Sequence, residues 1–128
     1  MNLQLRGLLA APHTPFDTAG DVNLSVIPKQ AAALLRNGVA GAFVCGTTGE
    51  GLSLTIAERM TVLDAWLAAK PAGFHLIAHV GAAAERDAIA LTKHAVASGA
   101  DAVAALTLAA IRQTALRAYS PEQVAAWS

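Results

Sequence analysis

The sequence predicts an α/β chain built on a parallel sheet, and three observations carry that expectation. Short apolar runs and helical patterns alternate along the 128 residues, the order that gives parallel strands joined by crossover helices. A helical pattern, a closing glycine and an apolar run recur at Gly38, Gly73 and Gly99; the spacings, 35 and 26 residues, are the size of one βα unit. Apolar residues make up 55% of the chain and charged residues 14%, as expected when strands are buried on both faces. Pattern alone leaves two architectures open, a closed barrel and an open doubly wound sheet. In both, ligands bind where strands end and loops begin.

The elements follow in order. Residues 5–11 form an apolar run that stops at Pro12, and residues 13–21 supply dense turn chemistry. Ile27, Ala31, Leu34 and Leu35 recur at helical spacing over 27–37, with Pro28 admissible only in the first turn and Gly38 as the left-handed stop. A second strand over 41–45 runs into Gly46-Thr47-Thr48-Gly49-Glu50-Gly51. Thr55 and Glu58 then make a capping box, in which the hydroxyl and the carboxylate satisfy orphan amides. Ile56, Met60, Leu63 and Leu67 are the expected buried stripe of that helix. The third strand is 74–80 and the third helix 84–98, with Ala88, Leu91 and Ala95 on one face; 101–106 reads as a fourth strand. Residues 107–119 are ambiguous, and Ser120-Pro121-Glu122-Gln123 is a second capping box with proline at the first helical position.

Composition narrows the function classes. Nine basic and nine acidic side chains cancel, so no field exists to hold nucleic acid or an anionic membrane, and neither partner is expected. No apolar run approaches the roughly 18 residues of a membrane helix, and residues 1–6 lack the layout of a signal peptide. The single cysteine, Cys45, suits a reducing compartment, which places the expected site of action in the cytoplasm.

The strongest chemical signal is Gly46-Thr47-Thr48-Gly49-Glu50. Glycines at a strand's C-terminal end let the backbone approach a ligand, and two adjacent hydroxyls add donors for a small carboxylate or phosphate. The loop is neither a Walker loop nor a dinucleotide fingerprint. The plainer alternative is a βα turn whose hydroxyls cap local amides. His13, His75, His79 and His94 invite a metal reading. On a strand, however, His75 and His79 would stand about 13 Å apart, too far to share an ion. Polar loop and surface roles are expected for these histidines, with His13 the best placed to line a pocket, and no metal or cofactor is expected. Cys45 is expected to point into packing, and Trp66 and Trp127 to be core or partner-facing.

The loop continues as Gly51-Leu52-Ser53-Leu54, with Glu58-Arg59 behind it. Gly7-Leu8-Leu9-Ala10-Ala11-Pro12-His13-Thr14-Pro15-Phe16 precedes it, and His79-Val80-Gly81-Ala82 and Gly99-Ala100-Asp101-Ala102-Val103 follow. In that order, over residues 5–106, these motifs resemble the N-acetylneuraminate lyase and dihydrodipicolinate synthase family of class I aldolases. The Gly51-Leu52-Ser53-Leu54 and His79-Val80-Gly81-Ala82 runs look more like the sialic acid lyases. The resemblance implies a (β/α)8 TIM barrel of which residues 1–128 are the N-terminal half, about the first four βα units. It implies homo-oligomeric relatives and a pyruvate Schiff base on a strand-borne lysine, assisted by a tyrosine. Thr47 and Thr48, flanked by Gly46 and Gly49, are by the same resemblance the group that binds the substrate's carboxylate.

Lys29, Lys70 and Lys93 fall in helices or at a helix end, and none matches the Schiff-base position; Tyr119 does not match the catalytic tyrosine. Both catalytic residues are expected beyond Ser128, and residues 107–118 depart from the family's aromatic stretch and Lys-Pro. The leading expectation is therefore half of a pyruvate-dependent lyase acting on N-acetylneuraminate, with a small keto acid as its partner. A dihydrodipicolinate synthase or other sugar-acid aldolase is the first alternative. A non-catalytic half-barrel that binds small anions or a partner chain is the second. A half-barrel leaves strand edges and an apolar inner face open, so self-association is expected.

Overall fold

The structure, a computed structural model, describes residues 4–105. Four strands, β1 (Leu9–Ala10), β2 (Gly41–Val44), β3 (His75–His79) and β4 (Ala102–Ala104), alternate with three helices, α1 (Ile27–Arg36), α2 (Ile56–Ala69) and α3 (Glu85–Ser98). The strands pair in parallel in the order β1-β2-β3-β4. That order decides the question the pattern left open. A doubly wound sheet reverses direction at a switch point, whereas consecutive neighbours generate the singly wound arc of a barrel.

All three helices cover one face of the sheet. Ala42, Val44, Leu76, Ala78 and Val80 share one core with Ile27 and Ala31 of α1, Val62, Leu63 and Trp66 of α2, and Leu91 and Ala95 of α3. Side chains alternate along a strand, so Gly41 and Phe43 of β2 and His75, Ile77 and His79 of β3 face the other way, toward the barrel interior. The register aligns Leu9 with Gly41, and Ala102 and Ala104 with Ile77 and His79, on that same inner face.

Local signals place the helix ends. Pro28 lies in the first turn of α1, and the Thr55–Glu58 capping box forms in both directions, at 3.1 and 2.7 Å. Gly38, Gly73 and Gly99 all take positive φ, the conformation that ends a helix or turns the chain without a Cβ penalty.

Two expectations need correction. The first strand is two residues, not 5–11: Gly7 turns left-handed at φ 92°, and Leu5 and Leu8 are exposed. In α2 the buried side is Arg59, Val62, Leu63 and Trp66, with Ile56, Met60 and Leu67 only half-buried at the margin. Apolar residues surround this helix, so their periodicity gives little direction, and the bulk of Trp66 settles which side enters the core. The readings of residues 107–128, including Tyr119, Trp127 and the second capping box, lie outside the described residues.

Candidate functional site: a threonine loop at the strand ends

The loop after β2 begins with a forced turn. Cys45 leaves the strand at φ 57° and Glu50 closes the loop at φ 53°, both left-handed without being glycine. Such residues cost about 1–3 kcal/mol each and persist only where their surroundings hold them. Gly51 N–H donates to the Gly46 carbonyl at 3.0 Å and Glu50 N–H to the Thr47 carbonyl at 3.0 Å. Gly51 has to be glycine because a Cβ there would overlap the Cys45 carbonyl, and one on Gly46 would overlap the Phe43 ring. A Cβ on Gly49 would crowd the Cys45 backbone at 3.1–3.2 Å and the Pro12 carbonyl at 3.3 Å.

Both neighbouring strand ends anchor this turn. From the β1 side, the buried Thr14 hydroxyl donates to the Gly49 carbonyl at 2.6 Å. On the β3 side, His79 Nδ1 lies 3.1 Å from the Cys45 carbonyl. A carbonyl only accepts, so Nδ1 carries the proton and donates. Arg59, only 3% exposed, reaches up from α2 and donates through Nη1 to the Gly81 carbonyl at 2.8 Å and through Nη2 to the His79 carbonyl at 2.6 Å. Nη2 also lies 3.3 Å from His79 Nδ1, a contact between two donors in this tautomer. Burial, then the positive charge of Arg59, push the His79 pKa below its ordinary value against the opposing effect of the Cys45 bond. The ring is therefore neutral at pH 7. Burial pushes the Cys45 thiol up to about 11, with Arg59 opposing, so it is not a nucleophile at neutral pH.

The carbonyls of Cys45, Gly46, Thr47, Gly49 and Glu50 are thus tied down. Thr47 and Thr48 are exposed at the C-terminal end of β2, while Gly46 and Gly49 are buried beneath them. Among the described residues neither threonine hydroxyl, nor the amides of Thr47, Thr48 and Gly49, has a hydrogen-bond partner. Adjacent donors left open at the end of a strand suit an anion, and they act there without a metal.

The other candidates separate from this site. His13 is exposed, and its carbonyl, not its ring, is engaged, by Gln30 Nε2 at 3.0 Å. Its neighbour Thr14 is the residue that reaches the loop. His79, expected in a loop or surface role, is buried and holds the loop; its neighbour on the inner face is Phe43, edge to face at 5.8 Å. His94 Nε2 contacts both Asp64 Oδ1 at 2.8 Å and Ser98 Oγ at 3.3 Å. A charge-relay triad uses the two ring nitrogens separately, so this surface cluster is not one. Cys45 and Trp66 are buried in the core, as expected. No group of three or more His, Cys, Asp or Glu side chains among the described residues has metal-binding geometry. Lys29 and Lys93 are exposed on helices, and Lys70 is paired with Asp101 at 2.6 Å, at the opposite end of the sheet from the loop.

Comparison with known proteins adds the decisive observation: residues 4–110 match the Dihydrodipicolinate synthetase family. The chain belongs to this family. Within it, the chain is 42% identical over 105 residues to the N-acetylneuraminate lyase of Pongo abelii and 41% identical to that of Homo sapiens. Each match takes in 80% of this chain and 33% of the relative, so the chain spans about a third of their length. Among solved structures, the N-acetylneuraminate lyase of Proteus mirabilis superposes with a TM-score of 0.78 at 42% identity, over 80% of this chain and 35% of that one. The dihydrodipicolinate synthase of Aquifex aeolicus gives 0.74 at 32%, over 79% and 34%. The four-stranded arc is accordingly part of the TIM-barrel fold of the family, and the threonine loop stands at the C-terminal end of its strands.

Proposed function

We propose that this chain supplies the carboxylate-binding side of a pyruvate-dependent class I aldol lyase, most simply one that cleaves N-acetylneuraminate to N-acetylmannosamine and pyruvate. One observation carries the reading. The turn after β2 spends its strained backbone and both neighbouring anchors on leaving Thr47 and Thr48 exposed and unpaired at the strand ends. The identity to N-acetylneuraminate lyases, above that to the synthase structure, favours the sialic acid substrate.

The chemistry asks this much of the loop. An iminium formed between pyruvate and a lysine withdraws electrons, so the adjacent carbon accepts or releases a carbanion. The carboxylate must stay pinned while that bond breaks, and fixed hydroxyls and amides do so without reorganising. Gly46 and Gly49 keep the backbone close, and Thr47 and Thr48 hold the anion. The lysine and tyrosine belong outside residues 1–128, and the site of action is the reducing cytoplasm, where Cys45 stays a thiol. The 128-residue polypeptide alone associates with itself.

A chimera tests the assignment. Residues 4–105 replace the matching segment of the Proteus mirabilis N-acetylneuraminate lyase, and the product is assayed for release of pyruvate from N-acetylneuraminate. Activity is expected, and Thr47→Val or Thr48→Val should raise the KM for pyruvate in the reverse reaction about tenfold, as loss of a hydrogen bond to a charged group implies. A folded, active chimera indifferent to both substitutions refutes the carboxylate role. Borohydride treatment of the unfused chain with pyruvate should trap nothing; a labelled Lys29, Lys70 or Lys93 would show the nucleophile to lie within it.

A further inference from the structure

We propose that Arg59 and His79 are positioning residues for keto-acid binding: together they lock the Cys45 carbonyl and so set the threonine loop in its anion-holding form. The inference rests on the carboxylate reading above and assigns the residues that make that site work. Neither side chain is at the mouth. Arg59 stands on the core side of α2 and His79 at the end of β3, 20 residues apart in sequence, and they meet under the loop.

The order of contacts runs one way. Arg59 fixes the end of β3 by donating to the His79 and Gly81 carbonyls. This fixes where the His79 ring stands, and its Nδ1–H then reaches across to β2 and takes the Cys45 carbonyl. With that carbonyl held, Cys45 stays left-handed, Gly51 folds back over it, and the two threonines point out of the turn. A neutral ring suffices for this contact, because Nδ1–H is what the Cys45 carbonyl accepts, and a second charge beside the guanidinium would be repelled.

Charge supports the same assignment. The ion pairs among the described residues are Lys70 with Asp101 and His94 with Asp64. Arg59 therefore has no carboxylate partner there; its bonds go to carbonyls, and its buried Nε has no partner among the described residues. An uncompensated buried cation is a poor way to stabilise a core, where an apolar side chain of similar volume does as well or better. Beneath a loop that receives an anion it has a use, since its field adds to that of the hydroxyls at low local dielectric.

The test compares variants of the 128-residue chain, labelled with ¹⁵N and titrated with pyruvate while the Thr47 and Thr48 amides are followed, together with hydrogen exchange at the Gly51 amide. Asn places its side-chain N–H near the position of His Nδ1, whereas Leu fills the space without a donor. His79→Asn is expected to bind pyruvate within about threefold of the native chain. His79→Leu should bind about tenfold more weakly, with Gly51 exchange at least tenfold faster. Arg59→Met should match His79→Leu, and the double variant should lose little more, because both act through one carbonyl. A packing role predicts the reverse order, with Leu tolerated and Asn harmful; that order, or a folded His79→Leu chain with native binding and exchange, overturns the proposal. Thr47→Val with Thr48→Val separates the two ideas. If that chain bound pyruvate like the native one, the carboxylate reading would fall, while Gly51 exchange in the His79 pair would still judge the relay.

Discussion

Gly51 shows how closely single atoms are arranged under the loop. Its missing Cβ is the space through which the chain folds back over the Cys45 carbonyl, and the atom that an added methyl would meet is backbone, which cannot swing aside. Gly51→Ala should therefore destabilise the chain by about 1–3 kcal/mol, the usual cost of overpacking, and disturb the Thr47 and Thr48 amide signals more than any distant ones. Urea unfolding and an amide spectrum measure both; a variant of native stability with an unchanged loop would mean the turn has room to spare. The glycines and threonines of this turn were legible in the sequence because their job is local: close backbone approach and exposed donors need only neighbours in the chain. Arg59 and His79 were not. Their partners lie 20 to 34 residues away, and a charged residue within a helix or a histidine at a strand end reads as solvated until the strands are placed side by side. Thr14 was missed for the same reason, its partner being 35 residues distant.

Elements followed from local signals where those signals were one-sided. The Thr55–Glu58 box, Pro28, Gly38 and Gly99 placed helix boundaries to within a residue or two, because caps and positive φ depend on the backbone alone, whereas Gly73 turns the chain four residues beyond the end of α2 at Ala69. The facing of α2 was harder to read because apolar residues ring it, and only the sheet decides which enter. Trp66 at 1% exposure lies in the core, whereas Leu67 sits at its edge. Trp66→Ala should cost about 3–5 kcal/mol and Leu67→Ala clearly less, in urea unfolding of the two variants; equal costs would contradict this orientation. At the other end of α2, Lys70 and the Leu76 N–H both donate to Asp101 Oδ2, at 2.6 and 2.8 Å, tying the helix end to the starts of β3 and β4. Burial would raise the Asp101 pKa, but these two hydrogen bonds, together with nearby positive charge, chiefly that of Lys70, outweigh it and leave it below the ordinary value. A depressed carboxylate stabilises fully above its unfolded pKa of about 3.9 and loses that contribution as pH falls through the folded value. Stability should thus decline as pH drops below about 5, and Asp101→Asn should flatten that decline in unfolding experiments run from pH 6 to pH 3. A slope unaltered by the substitution would place the acid sensitivity elsewhere.

For the molecule as a whole, the sheet is an arc whose outer face the helices cover, while Leu9, Phe43 and Ile77 line the inner face. Among the described residues β1 pairs only with β2, and β4 only with β3. Open strand edges and an apolar concave face are what a soluble chain cannot leave to water. A second copy answers both needs with one symmetry operation. A two-fold axis along the barrel axis preserves strand direction, so β4 of one copy meets β1 of the other in parallel, and the second junction is identical to the first. The four strands of the described residues, taken from each copy, give the eight that close with side chains filling the interior. A two-fold axis perpendicular to the barrel axis would instead set β1 against β1 and β4 against β4 in antiparallel fashion, breaking the all-parallel pairing of the sheet. The 128-residue polypeptide produced alone should sediment as a dimer at micromolar concentration, and Phe43→Asp, on the shared inner face, should shift it toward monomer or aggregate. Hydrogen exchange should show the β1 and β4 edge amides protected in the dimer. A compact, stable monomer in analytical ultracentrifugation, with those edge amides exchanging freely, would rule out barrel closure by two copies.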